Sequence, residues 1–132
     1  MALTFTRTLT QPVTAQTINS AATYTSAEVD GGDATLFEQI CAYLEIDGFA
    51  AAPGGNQLMK LAVLPVHTTG GTAFGDSGVE HPFTVTADQL YDFSLLLTQL
   101  QRFWKVTVEN DTGQHTDANA VDAWVEHMDV TA

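Results

Sequence analysis

One stretch constrains the fold more than any other: Arg102 to Gly113, RFWKVTVENDTG. Trp104, Val106 and Val108 fall on one face at period two. Lys105, Thr107 and Glu109 fall on the other, with Phe103 as the one apolar exception. Alternation of this kind marks a half-buried β-strand, one face in a core and one in water or against a neighbour. Asn110, Asp111, Thr112 and Gly113 then close the strand. Asn and Asp bend the chain through local side-chain bonds, and Gly supplies positive φ. Nothing in the stretch is chemically reactive, so it speaks to fold rather than to activity.

The same period recurs along the chain. Leu3, Phe5 and Leu9 share a face against Thr4, Thr6, Thr8 and Thr10, with Arg7 as the exception. Residues 11–23 are polar and small and read as a polar arm or a long crossing loop. Tyr24 to Val29 fits a short second strand. In TLFEQICAYLEID, residues 35–47, Leu36, Ile40, Ala42, Leu44 and Ile46 share the even phase, with Glu38 out of place. Helical spacing also fits its first half, but the β-branched and aromatic content and the lack of a C-cap before Asp47-Gly48 favour a strand. Leu58 to His67 follows, with Met59, Leu61 and Val63 on one face. Residues 68–81, TTGGTAFGDSGVEH, read as a Gly-rich surface loop, a length that in a compact domain is usually functional or mobile. Pro82 opens a strand to Thr86, where its missing N–H is tolerated. Residues 87–100 fit either a helix capped by Asp88 or a turn followed by a strand; the strand is preferred because another follows at once. Val121 to Val130 closes the set, with Val121, Ala123 and Val125 alternating against Asp122, Trp124 and Glu126. About eight strands separated by turn signals predict an all-β, single-domain sandwich of jelly-roll type spanning residues 1–132.

Composition narrows the function classes. The chain carries 16 acidic and 4 basic residues, a net charge of −12, and the basic ones form no patch. Nucleic-acid binding draws on cationic neutralisation of phosphates, so it is not expected. An anionic membrane would repel the same surface, and no apolar run approaches the ~20 residues of a membrane span. The N-terminus lacks the pattern of a signal peptide, so the expected location is the cytoplasm of the producing cell, without secretion. The single cysteine, Cys41, rules out an intrachain disulfide and reads as a buried thiol. The sequon Asn110-Asp111-Thr112 is then a chance match.

No catalytic motif emerges. The histidines His67, His81, His115 and His127 have no zinc-motif spacing, and His pairs only with isolated acids such as Glu80, Asp117 and Asp129. The loop acids Asp30, Asp33, Asp76, Glu80, Asp111 and Asp117 offer oxygens for calcium without an EF-hand pattern. No P-loop, GxGxxG or nucleophile elbow is present. The chain is therefore expected not to be an enzyme and to need no cofactor or metal. Phe49 and Phe74 are predicted on loops, where an aromatic is either a partner contact or tucked into the core.

Val79 to Thr86 (VEHPFTVT), Leu90 to Leu100 and RFWKVTVENDTG resemble small β-rich virion proteins of tailed bacteriophages. Thr35 to Pro65 adds a strand ending EIDG, a Gly loop and a strand ending Leu-Pro, so the likeness runs over much of the chain. Such proteins are often jelly-roll decoration (cement) proteins on the capsid exterior, or tail components. The resemblance implies binding to the major capsid protein and self-association, as a homotrimer or a dimer, and it carries no active site. An alternative is a carbohydrate- or receptor-binding sandwich of a phage tail, with Tyr43, Tyr91 and Trp124 as candidate contacts.

Overall fold

The computed structural model describes residues 2–30, 37–54, 57–66, 79–85, 91–97 and 103–131. Among these residues nine strands are formed: β1 (Thr4–Gln16), β2 (Thr23–Thr25), β3 (Val29–Asp30), β4 (Phe37–Ile46), β5 (Gln57–Val66), β6 (Val79–Val85), β7 (Tyr91–Leu97), β8 (Phe103–Asp111) and β9 (Val121–Thr131). They make two antiparallel sheets. Sheet A has the order β1-β9-β4-β7, and sheet B has the order β2-β8-β5-β6. β3 also pairs with β8, so β2 and β3 act as one strand interrupted at residues 26–28. Eight strand positions in this order are those of a jelly roll: each connection except β5 to β6 crosses between the sheets.

The interruption has a local cause. Ser26 N donates to Val106 O at 2.8 Å, and Val106 N donates to Ser26 Oγ at 2.9 Å. A side-chain oxygen thus replaces a ladder acceptor where the strand bulges.

The core is what alternation predicts. Ala42, Leu44, Ile46, Val121, Ala123 and Val125 from sheet A meet Met59, Leu61, Val63, Trp104, Val106 and Val108 from sheet B, all buried. Burying each large apolar side chain is worth about 1.5–3 kcal/mol. The 87–100 segment contains strand β7 over 91–97, as preferred from sequence. Trp104 Nε1 finds no acceptor among the described residues.

Four expectations need correction. The 11–23 segment is not a free arm: β1 runs on to Gln16, and Val13 and Ile18 are buried. Residues 17–22 then cross to sheet B, stapled to the 110–119 segment. Ile18 N donates to Thr116 Oγ1 (2.9 Å), Ser20 N to His115 Nδ1 (3.0 Å), and Asn119 N to Thr17 Oγ1 (2.9 Å). Small polar residues look like loop in sequence, yet the backbone N–H groups of Ile18, Ser20, Ala21 and Ala22 are all bonded here. Second, the last three residues of the expected Gly-rich loop at 68–81 belong to β6; the others lie outside the described residues. Third, Pro82 sits inside β6 rather than at its start, which is tolerated because β6 is the edge of sheet B. Fourth, Cys41 is half-buried rather than buried, because the odd positions of β4 face outward.

Candidate functional site

The outer face of sheet A gathers the polar and aromatic side chains that the core rejects. β4 presents Cys41, Tyr43 and Glu45 there; β9 presents Asp122, Trp124 and Glu126. Register puts Cys41 opposite Glu126, Tyr43 opposite Trp124, and Glu45 opposite Asp122. Directly opposed side chains have Cβ atoms about 4.5–5.5 Å apart, so Tyr43 and Trp124 form one aromatic surface. Both are half-buried. Glu45, Asp122 and Glu126 rim them with carboxylates, and Arg7 on β1 reaches Glu126 at 2.7 Å.

The Tyr43 hydroxyl is held above its usual titration range. Its hydrogen bond with Cys41 is the main cause, followed by the thiol's charge, burial and the nearby Glu126; Arg7 opposes the shift. The phenol therefore stays neutral and able to donate a hydrogen bond across the physiological range. Asp122 already accepts from Gln11 Nε2 (3.1 Å) and from Ala15 N (2.9 Å). It thereby supports β1 where the register shifts between Thr10 and Val13 and again before Gln16, with Ala15 at φ 46°.

The outer face of sheet B carries a second charged group. Lys60 lies 3.8 Å from both Glu109 and Asp111. Burial, then the hydrogen bond and charge of Asp111, push the Glu109 carboxyl up, against the pull of Lys60. This trio explains itself as a strand-face ion cluster.

At one end of the sandwich, Asn110 is fully buried. Its amide donates to Ile18 O (2.9 Å) and Gln114 O (2.8 Å), and its carbonyl accepts from Thr112 N (3.1 Å) and Thr112 Oγ1 (2.6 Å). With its side chain buried and both amide hydrogens taken at the end of β8, Asn110 has no amide left for glycosylation.

The two sequence-predicted contacts fare differently. Phe49 is 1% exposed and belongs to the core, its backbone bridged to Thr116; it is no surface anchor. Phe74 lies outside the described residues. Of the aromatics considered for sugar contact, Tyr43 and Trp124 are brought together. Tyr91, on β7, pairs in register with Ile46 and is not brought beside them by the β4–β9 pairing. Among the described residues no three histidine, cysteine or acidic side chains converge on a point. His115 is engaged by Ser20, His81 is opposite Leu61, and His127 is opposite Thr8 and Ile40 on separate parts of the sandwich.

Sequence reasoning missed the apolar edge. Among the described residues the exposed large hydrophobics are Leu3, Phe5, Leu9 and Leu58, and the first three stand on or next to β1 at 52%, 62% and 61% exposure. Their alternation was visible in sequence; that the strand is an outer edge was not.

No family model matches the chain, and no curated protein matches it. Solved structures do. BuGH86 in complex with neoagarooctaose is 10% identical at a TM-score of 0.55, over 99% of this chain and 20% of that one. Dimeric latent PorU from Porphyromonas gingivalis is 15% identical at 0.51, over 99% and 13%. The PBSX exported protein XepA is 13% identical at 0.49, over 95% and 37%. This chain therefore spans a minor part of each of those proteins. Identities this low speak for fold alone, and the fold that the first two support is the all-β sandwich described above.

Proposed function

We propose that this chain is a structural protein of a tailed-bacteriophage virion. In this reading it is a decoration protein on the capsid exterior, binding the major capsid protein and bridging its subunits, with no catalytic role. The observation that carries the reading is the exposed β1 edge. A soluble monomer normally blunts such an edge with charge, proline or covering loops. The regular first half of that edge, with Leu3, Phe5 and Leu9 exposed, suits a subunit that is covered in an assembly. The outer face of sheet A supplies the shell contact: two aromatic rings rimmed by Glu45, Asp122 and Glu126 suit a basic partner surface. The stapling of residues 17–22 removes the arm from this role.

The test is co-sedimentation of purified protein with capsid shells that lack it, and the heat stability of those shells with and without it. Binding that saturates at a fixed ratio and raises shell stability is expected, and Trp124→Ala should abolish it. Failure to bind shells at any concentration would sink the proposal.

A second reading, a carbohydrate-binding tail module, is favoured by the Tyr43–Trp124 pair itself. Rings flanked by carboxylates can stack on a sugar and accept its hydroxyl protons. Quenching of Trp124 fluorescence by oligosaccharides, absent in shell-binding assays, would select it.

A further inference from the structure

We propose that the first half of β1 pairs with the same strand of a second copy, antiparallel about a two-fold axis at Arg7, joining two A sheets into one. Four observations carry this. First, β1 ends the order of sheet A, so among the described residues no strand lies along its outer edge. Second, the two halves of β1 differ. From Val13 on, the strand carries Pro12 behind it, two register shifts and the left-handed Ala15. Those are devices that blunt an edge. From Thr4 to Thr10 the register against β9 is unbroken, and Thr4 to Leu9 are exposed on both faces.

Third, the unblunted half is self-complementary. Thr4-Phe5-Thr6-Arg7-Thr8-Leu9-Thr10 has the same polarity read in either direction. About an axis at Arg7, Phe5 lies opposite Leu9 of the second copy and Leu9 opposite its Phe5. Thr6 lies opposite Thr8, and Thr4 opposite Thr10. A two-fold contact requires a patch that matches itself in this way. Aromatic–aliphatic and Thr–Thr pairs are among the favourable cross-strand pairs.

Fourth, the charges allow it. Arg7 is the only charged side chain in the first 27 residues of a chain with a net charge of −12. Two acidic molecules therefore meet along their neutral strip. The axis sets two Arg7 side chains opposite each other, but each already holds Glu126 of its own chain at 2.7 Å. The contact then carries alternating rather than like charge. The inference stands without the virion reading, although a dimer would give such a protein two shell contacts and the gain of bivalent attachment.

Two double variants test the register. Phe5→Lys with Leu9→Lys places like charges opposite each other twice across the axis. Phe5→Lys with Leu9→Glu removes the same apolar groups but places opposite charges there. Within one chain the bias is reversed, because Leu9 neighbours Glu126, so a fold defect would fall on the Glu variant instead. Sedimentation equilibrium of the full chain should give a dimer for the wild type. The Lys/Lys variant should dissociate at least about tenfold more readily, with the Lys/Glu variant close to wild type. Circular dichroism should show the same strand content in all three. A wild type that is monomeric or trimeric throughout, or a dimer weakened equally by both variants, would overturn the proposal.

Discussion

Phe49 shows how far a residue's neighbours can mislead. It sits in FAAAPGGN, surrounded by loop-forming residues, yet it is among the largest fully buried side chains of the protein. The 115–117 segment draws it in: Ala50 N donates to His115 O at 2.9 Å and Asp117 N to Gly48 O at 2.9 Å. Phe49→Ala should therefore cost about 3–5 kcal/mol of stability in a denaturant titration; a surface contact residue would cost almost nothing. Glu109 gives a prediction about pH. Its folded-state value is raised above the ordinary 4.5, chiefly by burial. The stability it contributes is thus fully present below about pH 4.5 and is lost as the pH rises through the raised folded value. Glu109→Gln, neutral at every pH, should be more stable than wild type at pH 7, with the difference vanishing at pH 4. Paired denaturation curves at the two values check the sign.

Among the elements, the interrupted β2–β3 strand depends on one hydroxyl. Ser26 Oγ accepts from Val106 N and donates to Ala27 O at 2.9 Å. Ser26→Ala leaves a buried backbone N–H unpaired, a loss of about 1–3 kcal/mol. Hydrogen exchange should locate it, with the Val106 amide losing protection more than its neighbours in β8. An unchanged Val106 amide would mean that another acceptor takes over. β1 illustrates the opposite case. Asp122 holds its second half in a bulged path, and only the first half keeps a regular edge.

For the whole molecule, the jelly-roll order separates the two tryptophans. Trp104 is fully buried between the sheets, while Trp124 is half-buried on the outer face of sheet A. Acrylamide should quench only part of the emission. Trp124→Phe should leave a blue-shifted, quencher-resistant remainder with the fold intact. The Trp124 emission of the wild type then serves as a reporter of anything that docks on the outer face, with the Trp124→Phe variant as its blank.

The sequence by itself determined most of the strands and, where alternation is clear, which side of each meets the core. Trp104, Val106 and Val108, Met59, Leu61 and Val63, and Val121, Ala123 and Val125 were all legible, because alternation at period two is a local property of an extended chain. It also limited the catalytic readings, since no motif spacing for them is present. Only the tertiary structure decided which strands are neighbours. That choice sets Tyr43 beside Trp124, buries Phe49 and Asn110, carries β1 past Pro12 and leaves Thr4 to Thr10 on an open edge. Each of these depends on contacts between segments far apart in the chain, where backbone pairing and shape, not local side-chain pattern, settle the outcome.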